Sequence, residues 1–204
     1  MIFRIAKNKD FKDLAKLHAK SGKTQEDGFL FKLGESFLRT YYKLLLNEPK
    51  SIIILAEDNF GKIHGFVSGT QSATEHLKSL NKNRLIIAIR TIPSIIFKPN
   101  LFKEILKRYR FSNGSGKDSY GVKEGARLEY WIWDEDSQSN LSPMLLKAWI
   151  EMMYILGVSE IHGEVDKKNK RSYAFHKIMG AEFYETTILS DKRERIFYKY
   201  KVLK

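Results

Sequence analysis

Residues 126–149, ARLEYWIWDEDSQSNLSPMLLKAW, contain a strand-like run followed directly by a helix-like run. Bulky β-forming residues dominate the first part, and the dipeptide Ser142-Pro143 is a typical helix start, with the serine as cap and the proline in the first turn. The loop between them, residues 134–141, contains no glycine, although a phosphate-binding loop at such a junction usually needs glycine for close backbone approach. The junction therefore predicts a strand–loop–helix unit and leaves open whether it still holds an anionic group.

A strand at 160–166, a helix at 168–179 and two final strands, at 182–189 and 194–202, follow this unit. When a strand is followed by a helix and then by another strand, the two strands normally lie parallel in one sheet. We therefore predict an α/β fold. Its mixed sheet has a parallel pair, 128–133 and 160–166, at its centre and helices on both faces.

The N-terminal half predicts further elements of the same domain. They are a strand at 2–6, a helix from Asp10 to Gly22, a helix at 35–47 and a hairpin at 51–69. A basic helical region at 75–110, with breaks near Pro93 and Pro99, and a glycine-containing stretch up to residue 125 then interrupt the pattern. We expect one domain over residues 1–204, in which 75–125 is an insertion.

The composition limits the partners and the compartment. The chain has 204 residues and a formal net charge of +12, which favours anionic partners such as a phosphorylated cofactor or an acidic lipid surface. No aromatic-rich binding motif accompanies the charge, so we expect no nucleic-acid partner. There is no cysteine and no signal-peptide-like start, and the most apolar run, 85–97, is shorter than the roughly 18 residues that a spanning helix needs. We expect a cytoplasmic protein, either a monomer or a homodimer.

Three local patterns within this order of elements resemble the GNAT family of acyl-CoA-dependent N-acetyltransferases. They are GFLFKLGESFLRTYYKLL at 28–45, the hairpin at 54–69, and NKRSYAFHKIMGAEFY at 169–184, which is similar to the family's N-x-x-A-x-x-F-Y-x-x-x-G-F segment. The likeness covers nearly the whole chain except 75–125. It implies the GNAT fold and an N-acetyltransferase that moves an acetyl group from acetyl-CoA to a primary amine of a small metabolite. The positive charge favours an anionic metabolite, such as a nucleotide-linked amino sugar.

In the family, the two central parallel strands splay apart and the pantetheine arm of the cofactor lies between them. The residues that the resemblance assigns to acetyl-CoA here are Trp131, Ile132, Trp133, Asn140, Leu141, Ser142, Asn169 and Ser172. The family's loop pattern, Arg/Gln-x-x-Gly-x-Gly/Ala, corresponds to Ser137, Asn140 and Ser142, so the loop is degenerate. We expect the acidic residues 134–136 to point outward, where solvent weakens their repulsion of a phosphate. A capped surface turn without a ligand is the alternative.

The resemblance also implies a proton donor. His176 lies where the family has its proton-donating tyrosine. An imidazolium, with an ordinary pKa of about 6.5, can protonate a departing thiolate, because the thiol has an ordinary pKa of about 8.5. A histidine packed beside Tyr173 is the alternative interpretation, and Tyr173 and Tyr184 are then the substitute donors.

Glu129 is the predicted base. It lies on the first splayed strand, and strand alternation predicts it on one face with Trp131 and Trp133. A buried carboxylate there would have a raised pKa and could accept the proton of the amine. A structural ion pair with Arg127 is the alternative.

The acceptor side is predicted at Phe29 and Leu33, in the first matching segment, and at Glu164 on the second central strand. Although His162, Glu164 and Asp166 alternate onto one strand face, such a set is ordinary on a half-exposed strand, so we expect no metal site. The isoleucines of the basic region predict packing against the domain. A cover over the acceptor end and a peripheral membrane helix are the two functional alternatives for this region.

Overall fold

The computed structural model describes residues 1–22, 29–113, 124–137, 140–189 and 193–201, of which 107–113 only as helical backbone. The strands are β1 (Ile2–Ile5), β2 (Ser51–Glu57), β3 (Ile63–Thr70), β4 (Ala126–Trp133), β5 (Glu160–Asp166), β6 (Glu182–Ile188) and β7 (Glu194–Lys201). The helices are α1 (Phe11–Ser21), α2 (Phe29–Lys32), α3 (Gly34–Leu45), α4 (Ala73–Lys82), α5 (Arg84–Phe97), α6 (Asn100–Asn113), α7 (Ser142–Ile155) and α8 (Lys170–Ile178). The predicted α/β class is confirmed, while most of the predicted glycine-containing stretch lies outside the described residues.

The strands form one mixed sheet in the order β1-β2-β3-β4-β5-β7-β6. Every neighbouring pair is antiparallel except β4 and β5, which are the predicted parallel pair at the centre. These two strands are paired only at Ala126 with Ile161 and at Arg127 with His162. Residues 128–133 of β4 therefore lie apart from the rest of β5. We call this opening the wedge.

Helices cover both faces of the sheet, as predicted. On one face α1 and α3 bury Leu14, Phe37, Leu38 and Tyr42 against β2 and β3, and α4 to α6 add a second layer around them. On the other face α7 buries Trp149 against residues of both halves of the sheet, including Val67 of β3 and Ile161 of β5, and α8 packs beside it. The two hydrophobic layers fix the wedge between them.

A register shift in β4 places Glu129 and the tryptophans that follow it on different faces of the sheet. Ser68 of β3 pairs with Tyr130, and Gly69 pairs with Leu128, so Glu129 is the extra residue of a β-bulge. Two successive residues then face the same side of the sheet. The predicted common face of Glu129 with Trp131 and Trp133 is therefore wrong: the tryptophans pack in the α7 layer, whereas Tyr130 packs in the α1 and α3 layer and Glu129 contacts Arg127.

The basic region is helical, as predicted, and the predicted break near Pro99 is confirmed, whereas the predicted break near Pro93 is wrong. The chain breaks at Asn83 and again before Asn100, and α5 continues through Pro93. A proline inside a helix removes one backbone hydrogen bond. Tertiary contacts hold α5 just before and just after Pro93, because Thr91 is buried and the Ser94 hydroxyl donates a hydrogen bond to the carbonyl oxygen of Leu33. Among the described residues, no helix combines the length and apolar character needed to cross a bilayer.

Candidate functional site

A cavity of about 360 Å³ follows the wedge. It is lined by Ser21, Leu128, Glu129, Tyr130, Trp131, Ile132, Trp133, Glu135, Glu164, Asn169, Arg171, Ser172, His176 and Tyr198. Eight residues predicted from the sequence are brought together here, namely Glu129, Trp131, Ile132, Trp133, Glu164, Asn169, Ser172 and His176. The other predicted site residues lie outside this lining.

The exposed backbone edge of β4 is the first chemical feature of the wedge. Since β5 pairs with β4 only at positions 126 and 127, the amide and carbonyl groups of residues 128–133 that face β5 lack a strand partner. Buried backbone groups rarely stay unpaired in folded proteins, so this edge favours a polar, extended ligand. The indole N–H of Trp131 is buried and also has no hydrogen-bond partner among the described residues, while its ring stacks on Phe175 with centroids 3.8 Å apart.

The imidazole of His176 is held between two tyrosines. Its Nδ1 lies 2.7 Å from the hydroxyl of Tyr200, and its Nε2 lies 3.1 Å from the hydroxyl of Tyr198. Burial lowers the pKa of His176 to about 4. At pH 7 only about one molecule in a thousand would therefore carry an imidazolium. The predicted imidazolium donor is not the form that the site holds at neutral pH, because the helix and the sheet remove this ring from water.

Tyr198 is a cavity residue that the sequence analysis missed. Its ring lies over Gly163, the residue directly opposite on β5, where an added Cβ would come within 2.4 Å of the ring. The ring also stacks on His176 with centroids 4.3 Å apart. Burial raises the pKa of Tyr198 well above its ordinary value, so its hydroxyl keeps its proton at neutral pH. A glycine opposite an aromatic residue on antiparallel strands is the signal that could have identified it.

Glu129 is ion-paired. Its carboxylate accepts a hydrogen bond of 2.7 Å from Nε of Arg127, and Nε2 of His76 lies 3.8 Å away. The alternative interpretation of Glu129 as a structural partner is therefore realised. Arg127 and Glu129 share a face by ordinary strand alternation, and the β-bulge places Trp131 and Trp133 on the other face. The same carboxylate still lines the wedge cavity.

The loop after β4 is built around a buried carboxylate. The prediction that residues 134–136 all point outward is wrong for Asp134, which is only 4% exposed, whereas Glu135 and Asp136 are exposed. Burial alone would raise the pKa of Asp134, but the ammonium group of Lys20 and the backbone N–H of Asp136 hold it below its ordinary value. The carboxylate thus serves the loop itself, and its charge is compensated.

The start of α7 also differs in detail from the prediction. Leu141 is the N-cap, and Ser142 is already helical, so the serine does not cap the helix. Its hydroxyl is buried and has no hydrogen-bond partner among the described residues. The first N–H groups of a helix lack intrahelical acceptors. The predicted contacts Asn140, Leu141 and Ser142 are therefore at a helix N-terminus, although they are not part of the cavity lining.

The start of α8 contributes Asn169 and Ser172. The Asn169 side chain caps this helix, since its Oδ1 accepts a hydrogen bond of 3.0 Å from the N–H of Ser172. Tyr173 instead packs on Phe183, with centroids 4.4 Å apart, and is not in the cavity lining. Tyr184 lies on β6, half exposed, beside His162.

The predicted acceptor-side residues divide between two cavities. Glu164 lines the wedge cavity and forms an ion pair with Arg195. Phe29 and Leu33 line a second, mostly apolar cavity of about 420 Å³ between α2, α3 and the inserted helices. Tyr41 of this second cavity meets Tyr130 of the wedge cavity edge to face, with centroids 6.3 Å apart. Among the described residues no cluster of acidic groups and histidines is arranged to hold a metal ion.

The fold is that of the GNAT acetyltransferases: a mixed sheet whose central parallel strands splay, with helices on both faces. The chain is similar to an aminoglycoside 6'-N-acetyltransferase complexed with coenzyme A, with 11% identity and a TM-score of 0.60. The match covers 100% of this chain and 98% of that one. It is also similar to a ribosomal-protein-alanine N-acetyltransferase from Brucella melitensis, with 14% identity and a TM-score of 0.59. That match covers 98% of this chain and 99% of the other. A GNAT-family acetyltransferase from Bacillus cereus matches with 12% identity and a TM-score of 0.56, covering 100% of this chain and 98% of that one. No protein-family model and no curated protein sequence matches the chain.

Proposed function

We propose that the protein is an N-acetyltransferase that transfers the acetyl group of acetyl-CoA directly to a primary amine of a small, anionic metabolite. The observation that carries this proposal is the limited pairing of β4 with β5, which leaves an unpaired strand edge along a cavity of about 360 Å³. An extended chain with amide groups, such as pantetheine, matches such an edge. The solved relatives of this fold include a structure complexed with coenzyme A, which supports the same ligand here.

The residues present fit acetyl-CoA. The backbone of residues 131–133 would bond the pantetheine arm, and the amide groups at the start of α7 would face the pyrophosphate. The buried hydroxyl of Ser142 offers one further donor there. The acidic charge of Asp134 in this glycine-free loop is neutralised by the ammonium group of Lys20.

Bound acetyl-CoA would supply the acetyl group and, on its transfer to nitrogen, a thiolate that must take up a proton. Tyr198 is our proton donor, because it lines the cavity, its hydroxyl keeps its proton at neutral pH, and it contacts the ring of His176. If the Tyr200 hydroxyl donates to Nδ1 of His176, then Nε2–H donates to the oxygen of Tyr198, and the Tyr198 proton is left to face the cavity. His176 then acts as a neutral relay: its Nε2–H returns a proton to Tyr198 while its Nδ1 takes the proton of the Tyr200 hydroxyl, and Tyr200 regains a proton from water.

Glu129 is our acceptor of the proton that the amine loses. Its carboxylate lines the cavity, and the ion pair with Arg127 holds it in place. Arg171 also lines the cavity and is largely exposed, so it offers an anionic acceptor a charged partner. Glu164 would meet the amine as a hydrogen-bond acceptor, and we further propose that the second cavity, with Phe29 and Leu33, receives an apolar part of the acceptor.

Thiol release in the presence of acetyl-CoA and a panel of primary amines tests the proposal. We expect saturable release that requires the right amine, and a Tyr198→Phe variant with turnover lowered about 100-fold at unchanged cofactor affinity, as is typical for the loss of a general acid. Tyr154→Phe, on the exposed face of α7, is the matched control and should retain full turnover. An equal rate for Tyr198→Phe would exclude this hydroxyl as the donor.

The glycine-free loop favours a second candidate, a binding protein of this fold that has lost its catalysis. Calorimetry separates the two candidates. Heat and a thermal shift on adding acetyl-CoA support the enzyme, whereas their absence at millimolar cofactor supports the binding protein. We propose a cytoplasmic location, and sedimentation velocity distinguishes the monomer from the homodimer.

A further inference from the structure

Helix α5 presents two stripes on opposite sides, an inner one that faces the domain and an outer one that is apolar. The inner stripe, with Ile87, Thr91 and Ser94, follows the helical repeat and holds the helix against the domain. The outer stripe follows the same repeat about half a turn away and consists of Leu85, Ile86, Ile89, Ile92, Ile96 and Phe97. The prediction that the isoleucines of this region pack against the domain is therefore wrong for the outer stripe.

The outer stripe is unusually exposed for large apolar side chains. Leu85 is 73% exposed, Ile89 61%, Ile96 71% and Phe97 84%. A contiguous apolar stripe along a whole surface helix normally marks an interaction site. The inserted helices that carry this stripe are also strongly basic.

The three inserted helices and their junctions carry exposed cations that have no counter-charge among the described residues. Six exposed basic residues have no ion-pair partner among the described residues: Lys78, Lys82, Arg84, Arg90, Lys98 and Lys103. The two acidic residues of the same helices, Glu75 and Glu104, are each bound to a lysine outside them, Lys50 and Lys32. The charge that stays unpaired in the described part of these helices is therefore positive.

We propose that the outer stripe of α5 docks the protein on an anionic lipid surface. An amphipathic helix with aliphatic and aromatic residues on one face and free lysine and arginine beside it gains both apolar burial and attraction to anionic headgroups. A second copy of this chain would bring unpaired cations against unpaired cations. A nucleic acid would meet the cations but would leave the aliphatic side chains without an apolar partner.

Flotation with vesicles tests the docking surface without acetyl-CoA or an amine, so its result does not depend on the proposed enzyme. We expect binding to equimolar phosphatidylcholine–phosphatidylglycerol vesicles, weak binding to pure phosphatidylcholine, and loss of binding as salt is raised. Ile89→Glu should lower the partition of the protein onto the vesicles about tenfold or more, because an isoleucine that would be buried in the lipid is replaced by a charged side chain. Arg90→Glu should weaken binding only to the anionic vesicles.

Ile178→Glu is the matched control, since Ile178 is 83% exposed on α8, away from the stripe. It should float like the unmodified protein. Equal binding to both vesicle types, or an Ile89→Glu variant that floats normally, would overturn the proposal. So would a dimer in solution that Ile89→Glu dissociates, or an oligonucleotide that binds more tightly than the vesicles.

Discussion

Replacing His176 with phenylalanine should flatten the acid sensitivity of the fold. The wild-type imidazole is buried as the neutral form, with its pKa lowered to about 4, whereas the unfolded chain has the ordinary value of about 6.5. Between these pH values the unfolded state binds the extra proton, so stability falls as the pH falls from 6.5 towards 4. At 1.36 kcal/mol per pKa unit, the 2.5-unit gap amounts to about 3 kcal/mol.

The measurement is the free energy of unfolding in urea at pH 7 and at pH 4.5, followed by tryptophan fluorescence. At pH 7 the variant should be less stable by about 1–3 kcal/mol, because Tyr198 and Tyr200 lose their hydrogen-bond partner. On acidification it should lose about 2–3 kcal/mol less than the wild type does. His18, whose pKa burial lowers to about 3, contributes equally to both proteins and cancels from this comparison.

Phe175→Leu is the control, because Phe175 packs beside His176 but carries no titratable group. This variant should keep the wild-type dependence on pH. If His176→Phe loses as much stability as the wild type between the two pH values, the imidazole is not buried in its neutral form, and the argument for a neutral relay fails.

Three further predictions concern the wedge. Gly163→Ala should push the Tyr198 ring aside, destabilise the fold by about 1–3 kcal/mol in urea and lower turnover as strongly as Tyr198→Phe does; retained turnover would show that the ring position is unimportant. Lys20→Met should leave the buried Asp134 carboxylate with only the more distant ammonium group of Lys62, 4.0 Å away, and weaken acetyl-CoA binding severalfold by calorimetry; unchanged affinity would mean that this charge lies out of reach of the cofactor. Glu129→Gln should lower turnover about 100-fold at unchanged acetyl-CoA affinity, because the proposed base is lost, and a wild-type rate would exclude Glu129 as the base.

The sequence predicted the elements well where periodicity is strong. The parallel pair at the centre followed from the strand–helix–strand order at the C-terminal end, and β5, α8, β6 and β7 lie within a few residues of their predicted bounds. The four-residue α2 was missed, because a helix of one turn has too few residues to show a period. Pro93 was wrongly predicted as a break, because contacts from α3 hold α5 across it.

The candidate site could be predicted only in part. Residues that follow from the resemblance, such as Trp131 and His176, line the wedge cavity. Their states depend on tertiary contacts that no local pattern contains. The bulge at Glu129 depends on pairing with β3, and the burial of His176 depends on Tyr198 from the end of the chain. Strand alternation assumes an unbroken ladder, so one extra residue is enough to reverse its prediction.

The scarcity of β4–β5 pairing has a thermodynamic consequence for the whole domain. Only two paired positions join the four strands β1 to β4 to the three strands β5, β7 and β6. Helix α7 packs across both halves of the sheet, and the Trp149 indole donates a hydrogen bond of 3.0 Å to the carbonyl oxygen of Ile52. A ligand that formed hydrogen bonds to both β4 and β5 would replace the missing strand pairing, and it would bind the folded state but not the unfolded chain. At one hundred times its Kd it would stabilise the fold by about 2.7 kcal/mol. Melting temperature thus becomes a reporter of occupancy that needs no knowledge of the acceptor.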